Sequence, residues 1–313
     1  MSIDKSFSNK NMEQFQSELK LVMQGQIFKS IEEANDFLKK YQEKRNNTGV
    51  KAFCGLSPSQ MQIVLYQPLS IGRFIRIDTA NPFIFEQTQL ITQAYFLLNK
   101  IHASNELKLT EKGNLPRALV KEFWFLFNIN ERYSFEPNRE EDCPELTRLK
   151  CLLDYAGLIQ KRSKKLRLSK KGFKILNEKR SADLYVLLVE AYFNDWNWSY
   201  MDRYSENQII QMAGQFSLML ISELAQDWIS VEEIGNAFVR AFPGAVNDAQ
   251  DLFDLGTPEE SLIRCLSTRF LDRVCLPLGI IEWENIESPF TKLSDKFKVT
   301  EFFKNTFSFD TIF

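Results

Sequence analysis

Histidine is almost missing from this chain: His102 is the only one in 313 residues. That excludes HExxH and other His-rich zinc sites, and every His-based triad except one built on His102. His102 follows an apolar run and reads as a helix-end residue rather than a base. The five cysteines are odd in number and form no CxxC pair, and Cys143 and Cys151 are eight apart, the wrong spacing for a metal knuckle. A reduced, cytoplasmic protein is the expectation. GxxxxGK[ST] and GxGxxG are both absent, so the common phosphate loops are missing. The most apolar segment, Leu184–Phe193, is too short to span a bilayer and contains Glu190. The polar start MSIDKSFSNKNMEQ lacks the apolar core of a signal peptide. Neither a membrane nor a cofactor is expected. Glu190, Asp195 and Asp202 are close in sequence and leave one opening for carboxylate catalysis. The aromatic run around them reads as a helix junction, which explains these acids without function, so the sequence leans away from an enzyme.

What is present is enough apolar material for a core. Hydrophobic residues make up 44%, and Phe alone accounts for 27. The stretch around which the rest is organised is Glu145–Asn177. Leu146, Leu149, Leu152, Leu153 and Ala156 follow one helix face. Gly157 sits where a helix stop favours positive φ. Leu158-Ile159 starts a short strand, and Leu166-Arg167-Leu168 alternates like its antiparallel partner. Ser169-Lys170-Lys171-Gly172 leads into a further helix. Helix, strand, basic turn, strand, helix is the order of a winged-helix unit.

Charge is segregated although the net charge is only −2. From Lys161 to Lys174 there are eight Lys or Arg in fourteen residues and no acid, whereas Glu223–Leu262 carries nine acids and one base, Arg240. Lys161, Arg162, Lys164, Lys165, Arg167, Lys170 and Lys171 therefore admit two readings. One is a wing laid along a phosphate backbone, releasing counterions. The other is a solvated hairpin tip kept unpaired by its charge. The helix before the hairpin is preceded by Glu140, Glu141 and Asp142 and begins near Glu145. Those acids suit the helix dipole but would repel phosphates in a groove, so sequence-specific reading by that helix is not expected.

Elsewhere, Ser30–Glu33 and Ser230–Glu233 are capping boxes, and Ser57-Pro58-Ser59-Gln60 is a helix start. Residues 1–28 suggest an arm with one helix, and 245–256 an acidic, flexible loop. The pattern Leu-basic-Leu-hydroxyl-x-Lys-Gly occurs at Leu107–Gly113 and again at Leu166–Gly172, which suggests repeated units. Thr257–Leu276 reads as a helix, Gly279-Ile280-Ile281 matches Gly157-Leu158-Ile159, 285–292 is a turn, and 297–300 returns as a strand. Arg269 and Arg273 share a face of that helix and form a second, weaker nucleic-acid candidate. The Phe-rich tail, 302–309, needs a partner: the body of the chain or a second copy.

The resulting expectation is a mainly α fold, with winged-helix-like units and small β-hairpins around a helical core. Residues 1–86 form a helical arm, 87–182 a tandem winged-helix-like region, and 183–313 a helical region ending in a winged-helix-like unit. GLSPSQM at Gly55–Met61, LKLTEKGNLPR at Leu107–Arg117, the run Glu141–Gly172, FNDWNWSYMDRY at Phe193–Tyr204, IIQMAGQFSLMLI at Ile209–Ile221 and AFP at Ala241–Pro243 together resemble a family of uncharacterised bacterial proteins. Some similar proteins look as though they are joined to a plasmid open-reading-frame-three-like domain or a small metal-binding tail. The resemblance implies kinship and brings no activity. Two functions remain: a nucleic-acid-binding protein using the basic wing, or a scaffold whose winged-helix units dock a protein partner or a second copy.

Overall fold

The computed structural model describes residues 17, 20–129, 133, 135–200, 202, 204–248, 256–284 and 292–310. Two compact units divide the chain at Gln60/Met61. In the first, Ser30 accepts from the Glu33 amide and opens α1, Ile31–Asn46. Most of residues 1–28 lies outside the described set. The Ser57–Gln60 box forms as expected, Ser57 N donating to Gln60 Oε1 at 2.9 Å, and α2 runs Pro58–Tyr66.

Among the described residues the second unit is mainly helical with three small antiparallel sheets. After the last residues of α2 it continues with β1, Ile75–Ile77, and α3, Gln89–Ala103. Next come β2, Leu107–Lys108; α4, Arg117–Leu126; and α5, Pro144–Tyr155. The basic hairpin is β3, Ile159–Arg162, with β4, Lys165–Leu168, and α6 follows at Lys170–Asn177. The central helix α7, Ser181–Asn194, is buried along most of its length, as its apolar sequence requires. Then come α8, Gln208–Met212; α9, Gly214–Leu224; β5, Ile229–Ser230; and α10, Val231–Ala241. Helix α11, Pro258–Leu266, passes into a π-helix, Ser267–Cys275, before β6, Ile281–Trp283; β7, Lys296–Val299; α12, Glu301–Thr306; and β8, Phe307–Phe309. Residues 249–255 of the acidic loop and 285–291 of the turn lie outside the described set.

One order occurs twice: helix, strand, helix, helix, strand, strand. In the first module these are α3, β2, α4, α5, β3 and β4; in the second, α9, β5, α10, α11 with its π extension, β6 and β7. Each module's sheet places its third strand in the middle, β2-β4-β3 and β5-β7-β6. The same turn closes both. Gly157 and Gly279 have φ of +70° and +71°. Ser169 Oγ donates to Gly157 O, and Thr300 Oγ1 to Gly279 O, each at 2.6 Å. Each hydroxyl oxygen also accepts from the amide three residues on, capping the next helix.

The two Leu-basic-Leu copies are neighbours within one sheet. Leu107 pairs with Leu166 and Lys108 with Lys165. They are the first and last strands of the first module, so residues 87–182 hold one module and its partner lies in the C-terminal half.

The Phe-rich tail packs on the chain itself. Strand β8 pairs with β1, Ile75 opposite Phe309. Phe302 packs edge-on against Phe85 and Tyr185 at 5.5 and 5.4 Å.

The core contains acids held neutral by burial. Burial, with Glu145 nearby, raises the Cys143 thiol from 9.0 to about 12. Burial also raises Cys275 and Tyr185, whose hydroxyl donates to Leu278 O at 2.8 Å. Unfolded, these groups ionise near their ordinary values of 9.0 and 10.0. The stability they give is therefore complete below about pH 9 and is lost as pH rises toward 12. Thermal melts should show a falling Tm above about pH 9, and the Cys143 thiol should resist alkylation in the folded protein.

Candidate functional site

The hairpin tip Ser163-Lys164 has both residues at positive φ, +50° and +58°. That is the two-residue I′ pattern, whose twist matches the strands. Neither residue is Gly or Asn, so the tip carries left-handed strain. Installing Asn-Gly (Ser163→Asn with Lys164→Gly) should stabilise the protein by about 1 kcal/mol, measurable by denaturant unfolding. The exposed Lys164–Glu111 pair that is lost contributes little.

Register decides which cations share a face. Arg162 lies opposite Lys165, and Lys165 opposite Lys108. Directly opposed residues point to the same side, so Lys108, Lys165 and Arg162 form a row across all three strands. With strands about 4.8 Å apart, the row is about 10 Å wide. Arg167, next on that face, is exposed. Lys161 lies on the opposite face, opposite Leu166, with its ammonium beside Gly113. Like charges directly opposed across a sheet repel, and Glu106 offsets part of this by pairing with both Lys165 and Arg167. Lys164 pairs with Glu111. Among the described residues, the hairpin's counter-charges thus come from the segment beside β2 and not from the acidic 223–262 region. Arg162, Lys161 and Lys170 have no ion-pair partner among the described residues. Lys171 caps the end of α5, donating to Ala156 O at 2.9 Å.

The two C-terminal arginines are placed elsewhere. Arg269 is 2% exposed. Its guanidinium pairs with Asp202 and donates to Ser205 O at 2.9 Å and Asn207 O at 3.3 Å. It holds the interior together and presents nothing to solvent. Arg273 donates to Tyr200 O at 2.7 Å. Burial and the neighbouring Arg148 pull its guanidinium below the ordinary value, against Asp202 and Asp272. Neither joins the hairpin row. The outer face of the second sheet is mixed in charge, with Lys298 paired to Glu282 at 3.1 Å.

Each module's third helix packs one face into the interior. In α5, Leu146, Arg148, Leu149, Leu152 and Leu153 are buried, and Glu140 packs against its N-terminal end, paired with Lys150. In α11 and its π extension most side chains are buried. The three carboxylates near α7 are separately employed. Glu190 Oε1 accepts from Ile71 N at 3.3 Å, Asp202 holds Arg269, and Asp195 caps α7.

A family model described as the Y4jL N-terminal domain matches residues 86–181. The match covers α3 through α6, so its limits coincide with the first module and the helix after it. No curated protein and no solved structure matches the chain. Among the described residues, no helix is long and apolar enough to cross a membrane, and no group of three or more His, Cys, Asp or Glu could hold a metal ion.

Proposed function

We propose that the protein binds nucleic acid through the β2-β4-β3 sheet, by its phosphates and without reading sequence. Each module is read as a winged-helix unit, because strand order and connection match that motif and the basic hairpin occupies the place of the wing. The observation that carries the reading is the row Lys108–Lys165–Arg162. Three cations side by side disfavour the sheet that holds them, and an anionic polymer lying across the row removes the repulsion. Lys164 and Arg167 extend the row, and Lys170 adds charge at the start of α6. The buried third helices explain why base reading is not part of the proposal: what faces outward is backbone-binding charge.

The test is a titration of binding to a short duplex and to a single strand of the same length, at several salt concentrations. About four phosphate contacts predict a slope of log K against log salt near −4 on duplex DNA. A slope near zero, or no binding at low salt, removes the proposal.

One observation favours a second reading, a protein-docking scaffold. Leu126 and Phe173 are 57% and 48% exposed and line one groove with Phe96 and His102, whose ring lies 5.6 Å from Phe173. Under this reading Phe173→Asp abolishes partner binding and leaves the salt titration unchanged.

A further inference from the structure

Among the described residues two arginines are buried, Arg148 and Arg269, and their surroundings differ. Arg269 is saturated, by Asp202 and two backbone carbonyls. Arg148, in the middle of α5, is 7% exposed, yet no carboxylate reaches it within ion-pair distance among the described residues. Its close polar neighbour is the Tyr192 hydroxyl. Burial alone would disfavour the charge of Arg148, but Tyr192, Glu145 and Asp272 nearby more than offset this and hold the guanidinium above its ordinary value. Arg148 lines a partly open pocket of about 240 Å³ between α3, residues 127–129, α5, α7 and the π-helix.

Gln93, Glu145 and Asp272 line the same pocket, with Gln89, Asn128 and Tyr192. Gln93 is 4% exposed and has no hydrogen-bond partner for its side chain among the described residues. Glu145 accepts from the Tyr133 hydroxyl at 3.3 Å through Oε1, while its buried Oε2 has no hydrogen-bond partner among the described residues. Asp272 is supplied by the π-helix, whose widened turn is visible where Leu276 N donates to Leu271 O, five residues back, at 2.9 Å. Donors and acceptors are therefore both on offer. Arg148 and Gln93 suit a carboxylate, and the unpartnered Oε2 of Glu145 suits an ammonium. Glu145 and Arg148 are three residues apart on one helix, adjacent on its face, so one small molecule can touch both.

We propose that this cavity binds a small zwitterion: an α-amino acid or a molecule with the same neighbouring ammonium and carboxylate. The volume supports a ligand of this size. At about 30 Å³ per water it holds about eight waters, room for an amino acid. Leu149 and Leu90 on its wall give a side chain an apolar surface. The site is separate from the basic sheet, and the proposal stands without the nucleic-acid reading.

The experiment is thermal melting and calorimetry of the full chain with each of the twenty standard amino acids, with propionate as carboxylate alone and propylamine as amine alone. At about 10 mM, an amino acid of millimolar affinity should raise Tm by about 3 °C, and neither control should do so. Gln93→Leu, which changes no charge, should fold normally and weaken that binding at least about tenfold; Arg148→Lys should weaken it further. The proposal is overturned if no amino acid binds the parent, if propionate binds as well as the amino acids do, or if Gln93→Leu leaves the affinity unchanged.

Discussion

Replacing Asp202 by alanine should lower the stability of the protein by about 3–5 kcal/mol, the range for breaking one side of a buried ion pair. The side chains of Asp202 and Arg269 are 0% and 2% exposed. Truncating the aspartate strands a guanidinium that always carries its charge, with only the carbonyls of Ser205 and Asn207 as partners. It also removes the acceptor for Tyr204 N, at 3.0 Å. For a unit of this size the loss corresponds to a fall in Tm of about 10 °C, measurable by calorimetry. Removing both charges is the informative control. In Asp202→Leu with Arg269→Met no unpaired ion remains, and much of the stability should return. Full recovery is not expected, because the two carbonyls and the Tyr204 amide lose their partners. A single variant within about 1 kcal/mol of the parent would show that Arg269 finds water or another anion when Asp202 is gone.

The same pair marks what the sequence could not disclose. Helix starts were legible because capping is local: Ser30, Ser57, Ser230 and Thr257 each hold the amide three residues on. The glycine turns at Gly157 and Gly279 were legible because positive φ leaves a residue signature. What failed was anything decided by a partner far along the chain. Arg269 and Arg273, four apart, look like one solvated face, but Asp202 lies 67 residues from Arg269 and draws it inside. The π-helix adds to this, since a wider turn moves residues off the faces that a period of 3.6 assigns. The two Leu-basic-Leu strands looked like copies of a unit because alternation defines a strand and says nothing of its partner. Their pairing then turned two scattered lysines, Lys108 and Lys165, into neighbours. Arg148 left no sequence signal of its own; it stands in a helix whose neighbouring apolar residues announce burial, and only the cavity beside it sets it apart. The tail's partner could be named only as a choice between the body and a second copy, and β1 settles it for the body.

Reversing two charges of the sheet row, Arg162→Glu with Lys165→Glu, should reduce nucleic-acid affinity by about 100-fold at about 0.1 M salt, with little loss of stability. Each lost phosphate contact lowers the salt slope by about one, and a carboxylate in its place adds repulsion. The fold should tolerate the change because Arg162 is exposed and Lys165 half-buried, with their aliphatic stems on a solvated face. Locally the sheet should gain. In the parent both opposed pairs of the row are like-charged; in the double variant Lys108 faces a carboxylate on β4, and only the β3–β4 pair remains like-charged. Glu106 works against this, since it loses one of its two cations and faces a new carboxylate. A matched control separates place from net charge. Lys39→Glu with Lys40→Glu, on α1, changes total charge by the same amount and should leave affinity within about twofold. Equal losses in both variants would make binding a response to the chain's overall charge, and no loss in either would return the sheet row to a solvated surface.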